Sequence, residues 1–204
     1  MILYVVRHGE TEYNRTNLGL GRRDIPLTPL GEAQTAAVGR RFAGVELQRI
    51  YTSPLGRAAA VARSIAAGSD VPIVVTDDLL EMNVGDAEGM TGEEMRAQFP
   101  DFLRSWVGPS PEALPMPGGE SLADVRGRVD QFLATLRGSH DEVVAAVSHN
   151  FVVKVMLCRL LDLPLASFRD FAIDLGSIST FMIRSERVNV LSVNDTCHLI
   201  SLEP

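Results

Sequence analysis

Ile2-Leu3-Tyr4-Val5-Val6, with Arg7-His8-Gly9-Glu10 directly after it, carries most of the information about the fold. Five consecutive apolar residues, most of them favouring β structure, predict a strand that is buried on both faces, as in a parallel sheet. Open parallel sheets bind ligands in the crevice beyond the carboxyl ends of their strands. The polar residues after Val6 are therefore predicted to lie at a binding edge of an α/β sheet.

Helix and strand signals alternate along the first third of the chain. Thr28-Pro29 pairs a capping side chain with a proline that suits the first helical position, so we predict a helix to about Phe42. Ser53-Pro54 repeats this signature and predicts a second helix. Residues 49–52 and 72–75 are predicted strands on either side of it. This alternation is typical of a doubly wound α/β sheet.

An irregular segment interrupts the pattern at residues 83–120. Its many glycines and prolines argue against a regular strand–helix unit and predict a lid-like insertion over the sheet, with short helices near 91–98 and 100–106. Ser121 and the apolar spacing after it predict a long helix. The same patterns predict a strand at 143–147, a helix from Phe151 to Leu161, and a hairpin of 178–184 and 187–193 joined by a tight polar turn.

Length and composition indicate one globular domain over residues 1–204, with 83–120 as its insertion. The chain is 46% hydrophobic and 22% charged, and Cys158 and Cys197 provide no disulfide framework. A net charge of −7 argues against nucleic acid as a partner, because duplex binding requires a concentrated basic face. The apolar opening is too short for a signal peptide or a membrane-spanning helix, so we expect a cytoplasmic protein without membrane association.

Residues suited to phosphate chemistry follow four of the predicted strands: Arg7 and His8, Arg57, Glu81, and His149. Arginine binds phosphate oxygens through its planar fork and stays charged at any working pH. A neutral histidine offers a nucleophilic lone pair, whereas a protonated one stabilises charge on a transferring group, so we expect the two histidines to differ in protonation. A buried carboxyl with a raised pKa can act as a general acid.

A zinc site built on His8 and His149 is the metal alternative. No cysteine or aspartate at ligand spacing joins the two histidines. Two arginines and a histidinium can supply the electrostatic stabilisation that phosphoryl transfer requires, so we predict no metal and no cofactor. The identity of the acid also has alternatives, since three other carboxylates are near Glu81 in the sequence: Asp77, Asp78 and Glu88.

A series of short motifs runs through the chain in order. The first is Arg7-His8-Gly9-Glu10-Thr11, and the later ones are Asn14, Asp24-Ile25-Pro26-Leu27-Thr28 with Gly31, Ser53-Pro54-Leu55-Gly56-Arg57-Ala58, Glu81, Gly85, Glu88-Gly89, Pro117-Gly118-Gly119-Glu120-Ser121 and Val147-Ser148-His149. Arg-His-Gly alone would be a weak signal, but this set covers nearly the whole chain at compatible spacing. The chain thereby resembles the histidine phosphatase superfamily, in its phosphoglycerate-mutase-like branch.

This resemblance implies a fold and a reaction. The fold is a three-layer α/β/α sandwich, whose mostly parallel sheet has one antiparallel strand, with the insertion lying over the active site. The reaction is hydrolysis of a phosphate monoester through a phosphohistidine on His8, without a metal or a cofactor. The resemblance therefore agrees with the order of elements and the convergence of polar residues deduced above.

The resemblance also implies a role for each site residue. Arg7, Arg57 and His149 would hold the phosphoryl oxygens while His8 attacks. Glu81 would protonate the leaving oxygen and then activate the water that releases phosphate. Asn14, the backbone at Gly21 and the amide of Asn150 are the expected substrate-binding groups.

Three positions depart from the family pattern. Leu20 stands where a hydrogen-bonding residue is common, so Gly21 is expected to contribute its backbone alone. Asn150 replaces a glycine after His149, and Ala87 replaces an aromatic residue before Glu88. These changes concern the shape of the substrate more than the catalytic residues.

Two other functions are kept as alternatives. Phosphoglycerate-mutase-type phosphoryl transfer is less favoured, because the segment after Glu81 is acidic and lacks the basic residues that grip a carboxylate. A non-catalytic phosphate-binding protein is less favoured because no proposed catalytic group is missing. The expected partner is a small-molecule phosphate ester, for which α-ribazole phosphate, sugar phosphates, phosphoglycerates and glucosyl-3-phosphoglycerate are candidates; a homodimer is left open.

Several remaining residues have expected structural roles. Glu10 is expected to support its loop, His140 and His198 to be surface or packing residues, and Arg22 and Arg23 to form a solvated face from which either could reach a second anionic group. The cluster of Met82, Met90, Met95 and Met116 is expected to pack the lid. The apolar residues Phe99, Phe102, Leu103 and Trp106 suggest the hypothesis that the insertion favours a bulky apolar leaving group.

Overall fold

Six strands form one mixed sheet at the centre of the protein, in a computed structural model that describes residues 1–185 and 187–202. The strands are β1 (Ile2–Arg7), β2 (Arg49–Thr52), β3 (Ile73–Val75), β4 (Val143–Ser148), β5 (Ile178–Ile183) and β6 (Val188–Asp195). Their order across the sheet is β3-β2-β4-β1-β5-β6. The first four pair in parallel, whereas β5 is antiparallel to both β1 and β6. The predicted mostly parallel sheet with one antiparallel strand is confirmed.

Helices cover both faces of this sheet. They are α1 (Glu12–Arg15), α2 (Pro29–Arg41), α3 (Gly56–Ala66), α4 (Gly92–Gln98), α5 (Pro100–Trp106), α6 (Leu122–Gly138) and α7 (Asn150–Leu160). Successive residues of β1 point to opposite faces, so Val5 packs in one core with α6 and α7, and Val6 packs in another with α2 and α3. The predicted three-layer arrangement is therefore confirmed.

The register of the parallel strands brings their carboxyl ends to one edge. Arg7 at the end of β1 pairs with Ser148 at the end of β4, and Thr52 at the end of β2 pairs with Val147. The next residues along the chain, among them His8 and His149, consequently emerge side by side.

Most predicted boundaries agree with the observed ones, and the clearest error concerns the second helix. The Thr28 hydroxyl accepts a hydrogen bond from the Gly31 amide at 3.1 Å and caps α2 as predicted. The helix after Ser53-Pro54 instead begins at Gly56, with Leu55 at its N-cap and no side-chain cap. The Ser53 hydroxyl accepts from the Leu55 amide at 3.3 Å and also contacts a histidine described below.

The terminal hairpin and the insertion are found close to where they are predicted. Strands β5 and β6 form the hairpin, whose predicted turn includes Glu186, which lies outside the described residues. Helices α4 and α5 occupy the insertion within a residue of the predicted 91–98 and 100–106. Among the described residues, no helix combines the length and the apolar composition needed to cross a bilayer.

Candidate active site

Two histidines from distant parts of the chain meet at the carboxyl edge of the sheet. The rings of His8 and His149 have centroids 5.0 Å apart, and their exposed fractions are 2% and 0%. Arg57, which is 1% exposed, bonds to the second of these rings. The structure therefore brings together the imidazoles and the guanidinium that the sequence predicted at one site.

His8 has the hydrogen-bonding pattern of a neutral nucleophile. Its Nδ1 lies 2.7 Å from the carbonyl oxygen of Gly9. A carbonyl only accepts, so Nδ1 carries the proton and Nε2 carries the free lone pair. Burial lowers the pKa of His8 well below 6.5, and the charges of Arg57 and Arg7 lower it further, although the bond to Gly9 opposes the shift. The ring is therefore neutral at neutral pH.

His149 is held in the opposite tautomer. Its Nδ1 accepts a hydrogen bond from Nε of Arg57 at 3.3 Å, so the ring proton lies on Nε2, which donates to the Ser53 hydroxyl at 2.8 Å. Burial lowers the pKa of His149 well below 6.5, and the neighbouring His8 and the charge of Arg57 add to the effect. The expected histidinium is therefore wrong for this arrangement: both rings are neutral, and they differ in tautomer instead of charge.

Arg57 is fixed by the loop of residues 21–23. Its Nη2 donates to the Gly21 carbonyl at 2.7 Å and its Nη1 to the Arg23 carbonyl at 2.8 Å. With the bond from Nε to His149, three of the five N–H donors of Arg57 are used and two remain. Burial lowers the pKa of Arg57, with Glu81 opposing, and an arginine in this environment keeps its charge at neutral pH.

The loop that holds Arg57 is itself held by Glu88. One carboxylate oxygen of Glu88 accepts from the Gly21 amide at 2.9 Å and the other from the Arg23 amide at 3.2 Å. The Gly21 amide is thus committed to Glu88, while its carbonyl holds Arg57. A direct contact between Gly21 and substrate stays a prediction.

Arg7 offers a buried donor at the same site. Its Nη1 donates to the carbonyl of Ile173, whereas its Nε is buried without a hydrogen-bond partner among residues 1–185 and 187–202. Burial lowers the pKa of Arg7 to about 10, and Glu81 and Asp174 oppose that shift. The group is still charged at neutral pH, so an unpaired cationic donor is available to an anion.

Glu81 is the carboxyl group beside these cations. It is 3% exposed, and its oxygens accept from the amides of Met82 at 2.8 Å and Phe151 at 3.3 Å. Burial raises the pKa of Glu81 above 4.5, and those two bonds, together with Arg57 and Arg7, oppose the shift. Of the alternative carboxylates, Glu88 is engaged with the 21–23 loop and Asp77 is exposed.

Two arginines and a glutamate brace the backbone around Glu81. Nε of Arg22 donates to the Glu81 carbonyl at 3.1 Å, and its Nη2 pairs with Glu120 at 2.8 Å. Arg128 pairs with the other oxygen of Glu120 at 3.1 Å and donates to the Leu80 carbonyl at 2.9 Å. The expectation that Arg22 belongs to a solvated face is therefore wrong, because its guanidinium is tied to the segment that carries Glu81.

The predicted substrate-binding asparagines occupy different positions. The side-chain oxygen of Asn14 accepts from the amide and the hydroxyl of Thr11, at 3.1 and 2.8 Å, and closes the cap of α1. Asn150 is the first residue of α7, directly after His149. These contacts lie within the protein, so the substrate-binding roles of Asn14 and Asn150 stay predictions.

A cavity of about 410 Å³ adjoins the site and is called the side cavity here. Its apolar wall includes Leu18, Leu20, Val84, Met90, Met95 and Met116, and its polar groups are those of Tyr13, Asn14, Asn17 and Thr91. Ala87 and Phe151 also line it. Three of the four methionines of the predicted lid cluster thus line a cavity, and Met82 is buried in the core.

Two aromatic residues of α5 contribute to packing instead of lining this cavity. The ring of Trp106 stacks on Phe102 with centroids 5.5 Å apart and meets Phe168 edge-on at 5.8 Å. It also contacts Phe151 with centroids 6.5 Å apart. The hypothesis that Phe102 and Trp106 select an apolar leaving group is therefore wrong in its residues, because they join α5 to the body of the protein.

Sequence reasoning missed the groups that support the site from a distance. The sequence predicts a helix cap at Ser53, and it indicates no role for Glu120 or Arg128. Glu120 lies 98 positions from Arg22, a separation that no local pattern reports. The available signal was the motif Gly118-Gly119-Glu120, in which an acidic side chain follows two turn-forming residues. Glu10 does support its loop as expected, since it accepts from the Thr28 hydroxyl at 2.7 Å.

Comparisons with known proteins agree with this geometry. The family described as "Histidine phosphatase superfamily (branch 1)" matches residues 3–196. Phosphoserine phosphatase 1 of Hydrogenobacter thermophilus is 34% identical over 97% of this chain and 93% of its own length. The adenosylcobalamin/alpha-ribazole phosphatase of Salmonella typhimurium is 32% identical over 90% of this chain and 91% of its own length.

A solved structure shares the whole architecture. The crystal structure of a putative alpha-ribazole-5'-P phosphatase from Escherichia coli superimposes with a TM-score of 0.88 at 26% identity, and it covers 96% of each chain. Sequence match, fold and the placement of the two histidines lead to one assignment. The chain belongs to branch 1 of the histidine phosphatase superfamily.

Proposed function

We propose that this protein hydrolyses a small phosphorylated metabolite through a phosphohistidine on His8. The observation that carries the proposal is the neutral His8 ring, whose unpaired Nε2 lies near Arg7, Arg57 and a second histidine. A nucleophile and fixed positive charge are the two requirements of phosphoryl transfer to a side chain. The phosphatase names of the relatives support the same class of reaction.

In the first step, Nε2 of His8 attacks phosphorus and the bond between phosphorus and the leaving oxygen breaks. The electron pair of that bond goes to the leaving oxygen, which receives the proton of Glu81. The raised pKa of Glu81 favours the protonated form that this step requires. Charge on the transferring group is stabilised by Arg7 and by the two remaining donors of Arg57, and His149 joins them when its Nε2 proton turns from the Ser53 hydroxyl to a phosphoryl oxygen.

In the second step, water attacks the phosphohistidine. The Glu81 carboxylate takes a proton from that water, the bond from phosphorus to Nε2 breaks, and phosphate leaves with His8 restored. Asn14, Gly21 and Asn150 are proposed to orient the substrate. The brace formed by Arg22, Glu120 and Arg128 keeps Glu81 in place through both steps.

The proposal includes the organisation and location of the protein. Residues 1–204 form one domain, and the insertion at 83–120 acts as its lid, since it supplies Val84, Met90 and Met95 to the side cavity. The cytoplasm is the proposed compartment, and no resident metal or cofactor takes part in the two steps.

Hydrolysis of p-nitrophenyl phosphate in the presence of EDTA tests the reaction. We expect turnover by the wild-type protein and an acid-labile phosphoenzyme after rapid quenching. His8→Ala abolishes both, because the attacking nitrogen is lost, whereas the exposed His140→Ala keeps both. Turnover by His8→Ala contradicts the phosphohistidine, and loss of wild-type activity with chelator contradicts a reaction without metal.

A further inference from the structure

The side cavity is connected to the reacting groups through two of its residues. Phe151, which lines the cavity, donates its backbone amide to the carboxyl group of Glu81 at 3.3 Å. Leu20, which also lines the cavity, precedes Gly21, whose carbonyl holds Arg57. An ester whose leaving oxygen receives the Glu81 proton therefore extends its alcohol toward this cavity.

Among the residues the structure describes, the walls of the side cavity include no lysine, arginine, histidine, aspartate or glutamate. Leucine, valine and methionine side chains form most of the surface, with amide and hydroxyl groups of Asn17 and Thr91 beside them. Of the two neighbouring arginines of the 21–23 loop, Arg22 is paired with Glu120, and Arg23 is exposed and donates one N–H to the Tyr13 hydroxyl at 2.7 Å.

A carboxylate in such a cavity would be poorly stabilised. Burying an unpaired anion is costly because it loses hydration without gaining a partner, whereas an apolar group gains from the same transfer. The small side chain of Ala87 also lines the cavity, whose volume of about 410 Å³ suits a drug-sized group.

Resting on the proposed phosphatase activity, we propose that the preferred leaving group is an uncharged alcohol with a largely apolar surface. The protein then discriminates against esters whose alcohol carries a carboxylate, such as phosphoserine and the phosphoglycerates. This preference comes from Leu20 and the methionines of the cavity wall. It differs from what the name of the phosphoserine phosphatase relative would suggest for this chain.

Three matched esters test the preference: benzyl phosphate, 4-carbamoylbenzyl phosphate and 4-carboxybenzyl phosphate. The amide and the carboxylate have nearly the same size, so their ratio isolates the effect of charge. We expect kcat/KM for the carboxylate to be at least about tenfold below that for the amide, and L-phosphoserine to be poorer than both neutral esters. Equal kcat/KM for amide and carboxylate, or a preference for phosphoserine, overturns the inference.

Substitution of a wall residue of the side cavity by a cationic one provides the second arm of the experiment. Leu20→Arg raises the carboxylate-to-amide ratio of kcat/KM by at least about tenfold, because the anion gains a partner. Leu20→Met keeps the wall uncharged and leaves the carboxylate the poorer substrate. Met95→Lys serves the same purpose if circular dichroism shows that Leu20→Arg is unfolded.

The two proposals fail in different ways. Absence of phosphate release from all esters, with no phosphoenzyme, overturns the proposed phosphatase function and the leaving-group inference with it. Hydrolysis of all three benzyl esters at equal rates leaves the phosphatase function intact and overturns the inference alone. A carboxylate-to-amide ratio that Leu20→Arg does not change also overturns it.

Discussion

Because both histidines of the site are neutral, its positive charge has to come from other residues. His8 and His149 each lose basicity through burial and the nearby arginines. The positive charge that a phosphoryl group meets is therefore that of Arg7 and Arg57. An arginine stays charged over the whole working range, so the attacking ring can stay neutral without a loss of electrostatic stabilisation.

The pH dependence of kcat/KM follows from two opposite pKa shifts. His8 attacks only when neutral, so activity falls as pH drops through its pKa, which lies well below 6.5. Glu81 donates only when protonated, so activity falls as pH rises through its pKa, which lies above 4.5. We expect a bell-shaped profile, whose acid limb belongs to His8 and whose alkaline limb belongs to Glu81.

Kinetics across the pH range check both limbs of that profile. Glu81→Gln lowers kcat for an alkyl ester, whose leaving oxygen needs a proton, and removes the alkaline limb that belongs to the wild-type acid. The effect is smaller for p-nitrophenyl phosphate, because nitrophenolate leaves without protonation. A wild-type profile that keeps rising into alkaline solution contradicts the role of Glu81 as the acid.

At the scale of elements, the 21–23 loop connects the phosphate-binding Arg57 to the segment that carries Glu81. Its carbonyls hold Arg57, and the side chain of Arg22 holds the backbone of Glu81. Glu88 fixes this loop by accepting hydrogen bonds from two of its backbone amides. Neither of these bonds involves a side chain that is proposed to bind phosphate directly. Glu88 is therefore a positioning residue for Arg57.

Glu88→Gln tests that role. A glutamine amide supplies one neutral acceptor oxygen in place of two charged ones, so the loop loses one bond, the other bond weakens, and Arg57 becomes less well placed. We expect kcat to fall about 10- to 100-fold, or about 1.4–2.7 kcal/mol of barrier, with a far smaller change in KM. The exposed Glu93→Gln on α4 is the control, and an equal loss in both variants contradicts the assignment.

The elements also show what local sequence could and could not predict. Thr28-Pro29 was interpreted correctly because its cap is a contact between neighbouring residues. Ser53-Pro54 has the same signature, yet its hydroxyl bonds to His149, 96 positions away. Residues at strand ends were predictable because topology alone brings them together, whereas the partners of Glu88 and Glu120 depend on how loops fold over the sheet.

At the scale of the whole protein, the site contains like charges that folding has to hold together. Arg57 is buried and Arg7 is half-buried with its Nε enclosed, and the charge of Arg57 contributes to the lowered pKa of Arg7. Glu81 balances part of this charge. An anion that binds between the two arginines therefore removes a repulsion that the native state contains and the unfolded chain does not.

Orthovanadate should consequently stabilise the folded protein as a whole. It is a tetrahedral anion that can bond to a histidine nitrogen, and the unfolded chain offers it no equivalent site. At one hundred times its dissociation constant it adds about 2.7 kcal/mol, which corresponds to a rise in Tm of about 5–10 °C for a chain of this size. Thermal melting of wild-type protein with and without vanadate measures the shift; His8→Ala loses most of it, and the exposed Arg40→Gln on α2 keeps it. An equal shift in His8→Ala would show that vanadate stabilises the protein from somewhere other than this site.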